Sequence, residues 1–94
     1  MPYIPQGDRD MLDSAIIDLS NGITTRGQLN YAMTRLAVLF LADGPKTPGY
    51  TEMMNVIGTF EMAKLEFYRE VCGIYEDRKK SGNGDVYQEI RSKR

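Results

Sequence analysis

Residues 29–42, LNYAMTRLAVLFLA, decide how this chain is read. The stretch predicts a helix with apolar residues on almost every side, and such a helix is covered on most of its circumference. It nevertheless carries Asn30, Thr34 and Arg35. Asn30 and Thr34 share one face at a spacing of four, and Tyr31 and Arg35 share a neighbouring one. Buried polar groups need partners, so three accounts stand side by side: a satisfied polar seam, a contact between subunits, or an anion site centred on Arg35.

On either side of this stretch the punctuation is clear. Thr25 and Gln28 are spaced as a capping box and predict the helix start, while Gly44 and Pro45 end it. A first helix is predicted over residues 9–21, with Asp8 as its cap and Asp10 and Asp13 near the positive end of its dipole. Leu12, Ala15, Ile16 and Leu19 form its apolar stripe, and Gly22 stops it. The segment GPKTPGY, residues 44–50, is a loop.

Thr51 is the expected cap of a third helix over residues 52–80. Met53, Ile57, Phe60, Phe67, Val71 and Ile74 recur at spacings of four and three, with Lys64 filling the one gap. Met54, Leu65, Tyr68, Cys72 and Tyr75 form a second row beside them. A straight helix of this span would be about 43 Å long, against a diameter of roughly 30 Å for a compact chain of this size. The helix is therefore expected to bend at Gly58 or Gly73, or to find a partner. The fold class expected is all-α: one helical domain, 1–94, of three helices with a long third, an N-terminal arm at 1–7 and a C-terminal arm at 83–94. Three helices cannot cover both rows and all sides of the second helix, which predicts a homo-oligomer.

Chemistry is limited by what the chain lacks. With no histidine and one cysteine, Cys72, it has neither the commonest general base nor a zinc ligand set, and no internal disulfide can form. No metal, no cofactor and no catalytic activity are expected. A net charge of −1 argues against a nucleic-acid binder, and the start, MPYIPQGDRD, has no secretory pattern. The apolar run at 36–42 is too short to span a bilayer, so a cytoplasmic protein with no membrane contact is expected.

Four blocks, the initial MPYI, LNYAMTRL, NVIGTFEMAKLEFYREV and YEDRKKSGNGDVY, occur in order along the chain. Together they resemble a family of small uncharacterised proteins of bacteria and their phages, a domain of unknown function. The resemblance implies a helical fold and a bacterial host cytoplasm, and it carries no catalytic residue or cofactor with it.

The candidate ligand-binding residues are Asn30, Tyr31, Arg35, Lys64, Tyr68, Arg69, Asp85 and Tyr87. Lysine, tyrosine and arginine at 64, 68 and 69 could stack on a base and hold phosphates. Alternatively, Lys64 extends its ammonium to water along an apolar stem. Asp85 and Tyr87, in NGDVY, suggest an arm that clasps its own chain or a neighbouring subunit. The leading expectation is an oligomer that sequesters a small anionic, nucleotide-type signal of host defence, as some small phage proteins do. The alternative is an adaptor or inhibitor that binds a host protein through the long third helix.

Overall fold

The computed structural model describes residues 2–93. The first residue of the N-terminal arm and the last of the C-terminal arm lie outside it. The described chain is all-helical: α1 (Gln6–Asn21), α2 (Arg26–Ala42), α3 (Tyr50–Phe67), a π-helical turn (Tyr68–Cys72), α4 (Gly73–Asn83) and α5 (Gln88–Arg91). Its contacts group it into two units, 1–60 and 61–94, with the boundary inside α3.

In the first unit, α1 begins three residues earlier than expected. Pro5 occupies the N-cap with φ −56° and ψ 150° and makes no side-chain cap, and its carbonyl accepts from the N–H groups of Asp8 and Arg9. Asp8 is therefore a first-turn residue rather than the cap. It still lies where the helix dipole favours an anion. The Arg9 Nε donates to the Ile4 carbonyl at 2.8 Å, which lays the N-terminal arm against α1.

At α2 the expected box is present. Thr25 Oγ1 accepts from the Gln28 N–H at 3.1 Å, and Gln28 Oε1 accepts from the N–H groups of Thr25 and Thr24 at 3.1 and 2.7 Å. The helix ends at Ala42, where the Asp43 N–H closes onto the Leu39 carbonyl. Thr51 does not cap α3. The helix starts one residue before it, and Glu52 reaches back to accept from the Gly49 N–H at 3.1 Å. This is the acidic half of a capping box without its hydroxyl partner.

In the second unit, α3 passes through the π turn into α4 and stays helical to Asn83, three residues beyond the expected end. Of the two glycines expected to disturb this helix, one does. The Gly73 N–H donates to the Tyr68 carbonyl, five residues back, and a Cβ at Gly73 would lie 3.3 Å from that oxygen. Around Gly58 nothing lies within 4 Å of the Cβ position. A π turn inserts one residue and rotates everything after it by about 100°. The row of Lys64 and Phe67 therefore runs on into Cys72 and Tyr75, and the two rows read from the sequence exchange partners there. After Asn83, Gly84 takes φ +100° and ψ 150°, a region closed to residues with a Cβ, and this is what stops α4. The arm beyond it is a turn followed by the short α5.

No described residue in either unit is buried. Among the described residues α1, α2 and α3 make no backbone contact with one another, and the expected bundle core is not found there. On α2, Met33, Leu36, Leu39 and Phe40 remain 45–74% exposed. Burying what is left of such side chains is worth roughly 1 kcal/mol each, so about 8 kcal/mol over two copies. That matches the whole stability of a small domain, about 5–15 kcal/mol.

Replacing Thr25 by Ala should remove the α2 cap and lower stability in urea unfolding by about 1 kcal/mol. An unchanged midpoint would show that the box does not hold the helix start.

Candidate functional site

Between α2 and the first turns of α3, the splayed helices leave a groove of about 790 Å³. Met33, Leu36, Leu39 and Phe40 line one wall and Val56 and Phe60 the other, with Asp43 at the rim. It is the size of a ligand pocket, but its lining carries one charge and no cation. In the sequence Phe60 is read as part of the apolar row of the third helix, and the α2 wall only as part of an apolar stretch. The signal was there in the near-continuous apolar composition of α2. Asp43, the one charged residue of the lining, was not singled out in the sequence.

The polar residues of α2 fall into two groups. Thr34 Oγ1 donates to the Asn30 carbonyl at 2.9 Å and lies 3.4 Å from Asn30 Oδ1, so this pair is satisfied inside its own helix. Tyr31 is exposed and lines a smaller cleft of about 360 Å³ with Leu19, Ile23 and Gln28, where α1 gives way to α2. Arg35 is exposed and forms no hydrogen bond or ion pair with a described residue. It does not line the groove.

Lys64, Tyr68 and Arg69 belong to the second unit. Lys64 Nζ pairs with Glu61 at 3.2 Å, one turn earlier. Arg69 holds both oxygens of Glu66 at 2.7 Å and reaches Glu70 at 3.3 Å. The hydrogen-bonded Glu66 carboxylate, with Glu70 adding, raises the guanidinium above its ordinary range. Both cations thus have carboxylate partners in place, and Tyr68 stands exposed on the π turn.

Beyond Gly84 the chain turns back over α4. Val86, Tyr87 and Arg91 line a cleft of about 310 Å³ with Glu76, Lys79 and Lys80. Asp85 organises this turn by accepting the Tyr87 N–H at 2.8 Å and pairing with Arg91, whose guanidinium lies 5.8 Å from the centre of the Tyr87 ring. The Tyr87 N–H and then Arg91 hold the Asp85 carboxyl below its ordinary value of 3.8. A depressed carboxylate pKa stabilises the turn above the ordinary value, and this is lost as pH falls through the lower, folded one. Exchange of the Tyr87 amide should therefore stay protected from pH 7 to below pH 3.8 and then open, as followed by nuclear magnetic resonance. In an Asp85→Asn variant that opening should vanish. An amide already unprotected at neutral pH would mean that the turn is not formed.

Among the described residues, no cluster of acidic or sulfur ligands could hold a metal ion, and no helix is long and apolar enough to cross a membrane. No curated protein and no solved structure matches the chain. A family model does match, over residues 1–86. With nearly its whole length covered, the chain belongs to the family described as a domain of unknown function, DUF6899.

Proposed function

We propose that this is a non-catalytic protein-binding module that works as a self-assembled oligomer. The observation that carries the reading is the state of α2, a leucine-rich helix that also carries Met33, Val38 and Phe40, none of which is buried. Exposed apolar surface on this scale marks a site of contact with another polypeptide. The groove beside it supports the same reading, since its walls are aliphatic and aromatic with Asp43 as the one charge.

A small anionic ligand is the weaker reading. A nucleotide site needs unengaged cations around a concavity, because phosphate affinity comes from charge-assisted bonds. Lys64 and Arg69 each have a carboxylate partner, and Arg35 lies off the groove. A phosphate at Arg69 would have to displace Glu66. A cytoplasmic location and a target among host proteins belong to this proposal as its further terms.

Thermal unfolding by circular dichroism between 0.5 and 50 µM tests the reading. If α2 is covered by another copy, the midpoint should rise by several degrees over that range, since association stabilises by mass action. A cooperative transition that does not move with concentration would mean that the isolated chain has its own core, and the proposal would fall.

A further inference from the structure

Resting on the self-assembly reading above, we infer that α2 pairs antiparallel with α2 of a second copy about a two-fold axis at Leu39, locked at both ends by Arg35 of one copy and Asp43 of the other. The spacing carries this register. Arg35 and Asp43 stand four residues before and four after Leu39, about 6 Å along the axis on either side. At 100° per residue all three fall within a band of about 80°, with Leu36 and Phe40 flanking it on the groove side. In an antiparallel pair centred on Leu39, residue 35 of each copy opposes residue 43 of the other.

Charge and surface agree with this register. Arg35 and Asp43 carry opposite charges, both are exposed, and neither has an ion-pair partner among the described residues. No other charged residue lies between them. The apolar surface is also adequate. Met33, Leu36, Leu39, Phe40 and Phe60 each keep on the order of 100 Å² exposed, so a pair of copies offers about 1,000 Å². With the stems and rim of Arg35 and Asp43 added, this reaches the range of about 1,200–2,000 Å² that stable interfaces bury. A second copy is self-complementary in both charge and apolar pattern.

Charge exchange in the full chain tests the register by sedimentation equilibrium, with circular dichroism confirming helicity. Arg35→Glu alone sets acid against acid at both ends, and Asp43→Arg alone sets base against base. Each should raise the dissociation constant at least tenfold. An equimolar mixture of the two variants should assemble as a mixed dimer with near-native affinity, as should the double exchange R35E/D43R. A parallel pair would bring 35 onto 35 and 43 onto 43, so neither the single variants nor the double exchange would differ from the native protein. If the native protein assembles and both single variants assemble as well as it does, this register is wrong while self-assembly stands. If the native protein sediments as a 10.7 kDa monomer, the self-assembly reading fails as well.

Discussion

The uncovered apolar surface of α2 is the constraint from which the rest of the account follows. A helix this rich in leucine and other apolar residues gains little by folding in isolation, because most helical stability in proteins comes from packing of a face. Here Thr25 and Gln28 close a full capping box on α2, yet no residue of the described chain is buried. Local signals thus specify where helices begin and end, and in the proposed reading the free energy that holds them against one another comes from contact with another polypeptide. Small domains often meet this shortage with disulfides, metals or oligomerisation. With one cysteine no internal disulfide can form, and the proposed reading takes the third route.

Polar chemistry in the molecule is mostly local. Glu61 answers Lys64, Glu66 and Glu70 answer Arg69, and Asp85 answers both the Tyr87 amide and Arg91. These contacts lie within one or two turns, and exposed pairs of this kind contribute at most about 1 kcal/mol each. They organise surfaces rather than a binding centre. Arg35 and Asp43 have no ion-pair partner among the described residues, and they flank the apolar stretch 36–42 of α2. An unpaired charge beside apolar surface makes sense where a partner brings the opposite charge, since it fixes register and orientation more than it adds affinity.

Much of this was legible in the sequence because caps and breakers act within four residues. The Thr25–Gln28 box, the end of α2 before Gly44–Pro45 and the stop at Gly22 are local events, and the structure reproduces them. Asp8 and Thr51 were misread because each is a good cap by type, whereas Pro5 and Gly49 set the actual starts. The π turn was invisible as such, though Gly73 marked its place. A seven-residue spacing of apolar positions looks continuous whether or not a residue is inserted, so Val71 and Cys72 could not be told apart as members of the row. The candidate site was read through charge and aromaticity at Lys64, Tyr68 and Arg69, all of them real surface features. What that reading could not contain is which cations already have partners, because Glu66 and Glu70 are also ordinary members of a solvated helix face. The groove beside α2 was legible only as composition, since its shape depends on how α2 and α3 splay.

Amide hydrogen exchange across α2, followed by mass spectrometry at two protein concentrations, tests the central claim most directly. If a second copy covers this helix, peptides spanning residues 29–41 will be strongly protected near 50 µM and will lose that protection on dilution to about 0.1 µM, as mass action requires. Protection of the same peptides that is strong and unchanged across the dilution would show that the chain covers α2 by itself, and would contradict the account.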